Sequence, residues 1–531
     1  MRKHFLTFCS VLSIGSVAAQ KQPDLVKYVN TLQGTNSTYE LSAGNTYPTT
    51  GMPFNVNAWS PQTGKNGDGW KYKYTATAIR GFGETHQCSP WMGDYGVFTL
   101  MPVAGPLVVD EEKRAASFKH INETAKPHYY QVKFDNGVNT EIAPTERAAY
   151  FRFSFPKGKQ AFLVLDGYTK FSQVTIDAAN RRITGYVNNG AFVPKDFKNY
   201  FVLEFDKAFR SSGTWENKNN TIAAGSATAE GQGAGAFVEF APGTTVSIRV
   251  ASSYISPVQA AVTLNRELGG FSRLEQARDA GFATWNKLLN RVQVEGGTEE
   301  EKATFYSCMF RANLFSHQFF EYDSSNQPVY YSPYDGKLHK GYMYTDNGFW
   351  DTFRSQFPLT NILHPQMQGR YMQAMLDAQQ QCGWLPSWSA PSETGGMLGN
   401  HAISLLADAW AKGIRNFSPD SALKAYYHEA TNKGPWGGAN GRQGWKEYFQ
   451  LGYVPYPLSE GSTAQTLEYA YDDFCGYSLA KMTGNKFYEK IFARQMYNYR
   501  NVFDTATRFM RGRQFNGDWT NNFDPYAWGG P

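Results

Sequence analysis

A glycine-interrupted stretch from Gly81 to Gly96 carries Glu84, His86, Trp91 and Asp94 within eleven residues, a polar and aromatic cluster of little use as core. Trp70, Tyr72 and Tyr74 precede it, after a loop, Gly44 to Pro61, whose glycines and prolines fix an irregular backbone on which polar groups can converge. Downstream, Phe349-Trp350-Asp351-Thr352-Phe353-Arg354 sets a carboxylate between aromatic rings. The plain reading of Asp351 is a helix cap or a partner for Arg354. Further on, Trp384, Glu393 and His401 lie along one loop that leads into a helix. A Trp face, a carboxylate and an imidazole brought together can grip a sugar ring, although each alone has an ordinary structural use.

Hydrolysis of a glycosidic bond needs two carboxylic groups across it, one to protonate the leaving oxygen and one to activate water or attack. Spacing does not select such a pair here. Asp472-Asp473 sits in a helical pattern with apolar neighbours, which points to an exposed or capping role. Asp518 and Asp524 fall in a loop near the end of the chain. No phosphate-binding loop, dinucleotide fingerprint, GxSxG elbow or HExxH helix occurs.

The elements that must position these residues divide in two. From about residue 24 to 256, short β-rich runs alternate with turn residues, among them Tyr150 to Phe155, Ala161 to Leu165, Phe201 to Phe205 and Val246 to Val250, the pattern of an all-β sandwich. From about 270 the period becomes helical. Helices are predicted over Phe271 to Leu289, Glu299 to His317, His401 to Ile414, onward from Pro419, Thr463 to Thr483 and Lys486 to Phe503. Roughly seven or eight such patterns, joined by long aromatic-rich loops, suggest a helical toroid with a pocket at one end.

At 531 residues the chain is too long for one ordinary core. Its 51 Lys+Arg against 46 Asp+Glu form no long single-sign runs, which argues against a nucleic-acid or anionic-membrane partner. Aromatic content is high, 16% from 33 Tyr, 38 Phe and 13 Trp. Arg2-Lys3-His4, an apolar run from Phe5 to Ile14 and small residues to Ala19 read as a signal peptide, so a secreted or periplasmic protein is expected. No later segment approaches the ~18 uninterrupted apolar residues of a membrane span. Cys88, Cys308, Cys382 and Cys475 show no paired CxxC spacing, so zinc is not indicated, and a disulfide cannot be assigned.

Taken in order, GNTYPTTGMPF at 44–54, GFGETHQCSPWMGDYGVFTLMPVAG at 81–105, YTDNGFWDTFRSQFPL at 344–359, GWLPSWSAPSETGGMLGNHAISLLADAWAKGI at 383–414 and FDPYAWGG at 523–530 resemble glycoside hydrolase family 92. The segment around His86 resembles the SPWxGDYG variant of that family, which leaves linkage preference open. The resemblance implies an α+β multidomain fold: signal peptide 1–19, β-sandwich 20–265, helical linker 266–296, and an incomplete (α/α)6 helical barrel over 297–531, with the pocket at the junction. It also implies an exo-acting, inverting, calcium-dependent α-mannosidase acting on α-mannoside glycans such as N-glycans. His86, Trp350 and Asp351 would line the terminal-sugar pocket, Asp351 holding hydroxyls, with Trp70, Trp384, Glu393 and His401 as further substrate-binding candidates. The family's general acid, general base and most calcium ligands are expected beyond Pro531, so no catalytic or metal residue is assigned within this sequence. The alternative is an inactive fragment or a non-catalytic glycan-binding protein.

Overall fold

The computed structural model describes residues 22–37, 44–168, 170–217, 219–436, 440–527 and 529–531. The expected signal peptide, 1–19, lies outside the described residues. Sheets come first along the chain and helices second.

Two antiparallel sheets face each other. One has seven strands, in spatial order Ala58–Gln62, Gly81–Thr85, Thr99–Ala104, Ala161–Asp166, Ala234–Phe240, Ser211–Glu216 and Thr221–Ala224. The other has nine, with Asn199–Phe205, Thr245–Ser253, Ala148–Ser154 and Asn139–Pro144 side by side at its centre. Alternation along each strand decides which residues meet. Phe151 and Phe153 point between the sheets, where they join Trp59, Phe98, Phe201, Ile248 and Val250. Arg152, on the opposite face of the same strand, instead pairs with Glu141 and Glu275 at 2.7 Å each. Each fully buried large apolar side chain of such a core contributes about 1.5–3 kcal/mol.

Helices α1 (Pro257–Leu268) and α2 (Leu274–Leu289) cover the back of the nine-stranded sheet. Ala260, Leu264 and Leu268 of α1 pack on Ala148, Val202 and Ala251. Leu274 and Ala277 of α2 pack on Ala143 and Tyr150. Helix α3 (Glu299–Ala312) starts at a reciprocal cap, Thr298 accepting from the Glu301 N–H and Glu301 from the Thr298 N–H. The pattern predicts α3 to His317, but it stops at Ala312. Beyond it the backbone takes partners outside the helix: Asn313 C=O accepts from Phe54 N–H, and His317 and Thr345 exchange N–H···O=C bonds.

The helical half follows: α4 (Phe349–Thr352), α5 (Gln356–Leu363), α6 (Pro365–Cys382), α7 (Ala402–Ala411), α8 (Pro419–Ala430), α9 (Trp445–Leu451), α10 (Ser462–Thr483) and α11 (Lys486–Gln495). Ten α-helices, α2 to α11, lie beyond residue 270 among the described residues, against the seven or eight expected there, the short α4 and α9 carrying too few turns to show a period. Helix α11 ends at Gln495 rather than Phe503. The Asn498 amide donates to Gln495 Oε1 at 2.7 Å, the kind of local side-chain bond that competes with the helix, and a 3₁₀ turn follows. Asp472 and Asp473, expected to be exposed or capping, are both fully buried. Asp473 receives Arg442, Tyr426 and Tyr448, and Asp472 receives His401 and the Asn400 N–H. The four described cysteines are free thiols.

The two halves share a core. Val56, Tyr95, Phe197 and Tyr254 of the sheet region pack into one cluster with Phe319, Tyr344, Phe349 and the helices behind them.

Candidate functional site

A cavity of about 780 Å³ opens where the two halves meet. The sheet side supplies Cys88, Ser89, Trp91 and Met92 from the glycine-interrupted loop. The helical side supplies Asp346, Asn347, Asp351, Gln356, Trp388 and Met397. Its size suits a small ligand, and a wall of rings and thioethers broken by a few polar groups suits a molecule with both apolar faces and hydroxyl edges.

Local structure explains the placement. Asn347 and Gly348 pair antiparallel with Ser389 and Trp388, which ties the Asp351 segment to the Trp388 loop. A Cβ at position 348 would run into the Trp388 indole, so this close approach needs glycine. The single turn α4 then projects Asp351 into the cavity. Burial raises the Asp351 pKa above its ordinary value, opposed by a hydrogen bond from Trp388 and by the Arg354 charge. Glu393 is buried and accepts from the backbone N–H groups of Ser387 at 2.8 Å, Trp388 at 3.2 Å and Gly395 at 3.0 Å. It therefore shapes the loop that carries Trp388 and Met397. Burial pushes its pKa up to about 7, against those same N–H bonds.

Behind α4 lies a second polar group. Trp350 Nε1 donates to Glu468 Oε1 at 3.2 Å, and His401 stands between Asp472, 2.9 Å from Nδ1, and Glu468, 3.3 Å from Nε2. Phe353 stacks on the His401 ring at 4.4 Å. Burial opposes the imidazolium, but Asp472 and Glu468 outweigh it and raise the pKa to about 9. Trp350 and His401 thus meet through Glu468, outside the cavity lining. Trp70 meets Trp91 edge-on at 5.2 Å and so supports the rim. Trp384 packs on His428 at 4.6 Å, away from the cavity wall.

His86 sits behind the wall. It is fully buried, stacks on Tyr95 at 4.6 Å, and places Nδ1 2.7 Å from the Tyr95 carbonyl. A carbonyl only accepts, so Nδ1 carries the proton. Burial works against its charge, yet Asp94 and Glu84 hold its pKa above the ordinary value. Its link to the cavity is the Tyr95 hydroxyl, which donates to Asp346 Oδ2 at 2.5 Å. Of the residues read from the sequence, Asp351 and Trp91 line the cavity, Glu393 and Trp70 brace parts of its wall, and Trp350, His401, His86 and Trp384 stand one layer behind or further. Sequence reasoning missed Asp346, Asn347 and Gln356, because nothing in their local spacing separates them from ordinary loop and helix-start residues.

Comparison with known proteins decides the family. The glycosyl hydrolase family 92 N-terminal domain matches residues 28–253, and that family's catalytic domain matches residues 259–531. The chain belongs to glycoside hydrolase family 92. An inverting family 92 mannosidase of Bacteroides thetaiotaomicron is 42% identical, superimposes with a TM-score of 0.93, and is matched over 96% of this chain and 69% of its own. A family 92 α-mannosidase from the same organism, solved with mannoimidazole, is 29% identical with a TM-score of 0.85, over 95% of this chain and 68% of its own. A curated protein of Arthroderma benhamiae, named an uncharacterized secreted glycosidase, is 25% identical over 97% of this chain and 69% of its length. The family 92 chain is thus a glycoside hydrolase with a sheet-rich N-terminal region and a helical C-terminal region.

Calcium takes six to eight oxygen ligands. Among the described residues of the family 92 chain no group of three or more His, Cys, Asp or Glu converges on one point, and the carboxylates of the cavity lining are Asp346 and Asp351. These two carboxylates do not make up the ion's ligand set by themselves. No helix among the described residues is long and apolar enough to cross a membrane.

Proposed function

We propose that this chain forms the sugar-binding junction of an exo-acting, inverting α-mannosidase that removes terminal mannose from glycans outside the cytoplasm. The observation that carries the reading is the cavity between the two halves, where Asp351 stands beside Trp388 and opposite Trp91. A carboxylate at a cavity wall accepts hydroxyl hydrogens, and indole faces stack on the C–H face of a hexose. The mannosidase names of the Bacteroides relatives supply the sugar.

On this reading Asp351 holds mannose hydroxyls, Glu393 and Trp70 shape the walls, and Trp350, His401, His86 and Trp384 act from behind. The chain divides into a sandwich, 20–265, a linker, 266–296, and part of an (α/α)6 barrel, 297–531. Helices α1, which spans the first of these boundaries, and α2, within the linker, both pack against the nine-stranded sheet. Inverting hydrolysis sets its acid and base about 6.5–9.5 Å apart with water between. The family resemblance assigns that pair, and most of the calcium ligands, to polypeptide beyond residue 531. Secretion is supported by the name of the Arthroderma relative and the signal-like N-terminus.

The test is mannose release from an aryl α-mannoside by the protein extended past Pro531, with and without a chelator, followed by NMR of the first-formed anomer. β-Mannose released only while calcium is present is the expected result. Activity on α-glucosides alone, or first release of α-mannose, would overturn the proposal.

A further inference from the structure

We propose that Asp346 is a substrate-binding residue of the junction cavity, its free carboxylate oxygen accepting a hydroxyl of the bound sugar. The inference rests on the reading of the cavity as a sugar site and adds a residue to it.

The backbone is held from both sides. Thr345 exchanges backbone hydrogen bonds with His317 at 2.9 and 3.1 Å, and Asn347 pairs with Ser389. Between them Asp346 takes φ +66°, the left-handed region that costs a non-glycine residue and is kept where the surroundings impose it, often at ligand sites.

The side chain is held as firmly, through one oxygen only. Oδ2 receives the Tyr95 hydroxyl at 2.5 Å and lies 2.7 Å from His317 Nδ1. An ionised carboxylate only accepts, so Nδ1 carries the proton and both neighbours are donors. One comes from the sheet region and one from the helical region, so the carboxylate is fixed only when both halves are in place. Oδ1 has no hydrogen-bond partner among the described residues, although Asp346 is fully buried. Buried polar atoms are nearly always satisfied, and a carboxylate oxygen left bare is costly. Asp346 belongs to the cavity wall, but neither it nor its Oδ1 has accessible surface in this structure, so a donor arriving from the cavity reaches Oδ1 as neighbouring wall side chains give way.

The wall around it selects the donor. Trp388, Trp91 and Met92 offer apolar faces, and Asp351 offers a second acceptor. Two acceptors set among rings and thioethers suit the hydroxyl edge and C–H face of a pyranose.

The test is calorimetric binding of methyl α-mannoside and its four monodeoxy analogues to the protein, to Asp346→Asn and to Tyr95→Phe. Loss of a hydrogen bond to a charged acceptor predicts about 10- to 100-fold weaker binding by Asp346→Asn. One monodeoxy analogue should bind the unaltered protein that much more weakly than the parent sugar does, while Asp346→Asn should not distinguish the two. Tyr95→Phe should give a smaller loss against the same hydroxyl. A uniform loss across all analogues marks a structural role and overturns the proposal. If glucosides or galactosides bind in place of mannosides, the mannosidase reading fails while the analogue series still decides Asp346. If no hexoside binds, both fail. Should Asp346→Asn not fold, a crystal structure of the unaltered protein with the sugar decides. A hydroxyl within about 3 Å of Oδ1 supports the assignment, and an enclosed water bonded there instead of the sugar overturns it.

Discussion

Two fully buried aspartates of this chain meet opposite fates. Asp473, on α10, uses both oxygens: Oδ1 receives Arg442 at 2.9 Å and Tyr426 at 2.7 Å, and Oδ2 receives Tyr448 at 2.9 Å. Asp346, at the junction, spends one oxygen on Tyr95 and His317 and leaves the other unbonded among the described residues. Burial alone therefore does not mark a functional carboxylate. A completed set of donors marks a brace that locks helices together, whereas an incomplete set beside a cavity marks a place for a ligand.

The comparison breaks most sharply by removing the cation from the completed set. Arg442→Met leaves the Asp473 carboxylate buried without its charge partner, for which about 3–5 kcal/mol of lost stability is expected. Denaturant unfolding measures this. A loss below about 1 kcal/mol would mean that Asp473 neutralises itself and that the helical half does not depend on the pair. Gly348→Ala comes next. The new methyl group meets the Trp388 indole, and overpacking of this kind costs about 1–3 kcal/mol. Trp388 lines the cavity, so sugar affinity should fall by more than the stability loss accounts for, as calorimetry on the folded variant would show. Unchanged affinity would remove Trp388 from the site.

Much of the scaffold is legible in the amino-acid sequence. Strands at Ala148–Ser154, Ala161–Asp166, Asn199–Phe205 and Thr245–Ser253 lie where alternating or continuous apolar runs placed them, and Ser462–Thr483 runs nearly from its predicted start to its predicted end. These signals are local, written within one element. The site is not local. Tyr95 and Asp346 are 251 residues apart, and His401 and Asp472 are 71 apart, so their spacing along the chain carries no trace of contact. Asp472-Asp473 looked solvent-facing because two adjacent carboxylates in an apolar helix are ordinarily outside. The cation that admits Asp473, Arg442, stands alone in a glycine-rich loop. Asp351 stands out through the resemblance of its whole motif to a family, and His86, in a motif of the same kind, stands behind the cavity wall and connects to it through Tyr95 and Asp346.

The histidine behind α4 gives a pH-dependent form of the same contrast. The folded-state pKa of His401 is raised to about 9 from an ordinary 6.5 by two carboxylates that outweigh burial. A raised pKa contributes stability that is fully present below pH 6.5 and is lost as pH climbs through 9. Over that window one proton's linkage amounts to about 1.4 kcal/mol per pH unit. His401→Gln should flatten the profile of stability against pH by that slope between 6.5 and 9 and leave it unchanged at higher pH. Equal slopes in the two proteins would show that His401 is neutral in the folded state.

The smallest effect separates the two aspartates most cleanly. Tyr95→Phe and Tyr448→Phe each remove one hydroxyl donor from a buried carboxylate that keeps at least one other. A hydrogen bond to a charged group is worth about 1.5–3 kcal/mol, and the remaining donor recovers part of it, so each variant should lose about 1 kcal/mol. If both aspartates were only braces, the variants would be indistinguishable by every measurement. If Asp346 holds a sugar hydroxyl, Tyr95→Phe alone loosens an oxygen that touches ligand. Tyr448→Phe should then bind methyl α-mannoside as the unaltered protein does, while Tyr95→Phe binds it several-fold more weakly at matched stability. Parallel losses of affinity in the two variants would erase the distinction drawn between the completed and the incomplete carboxylate.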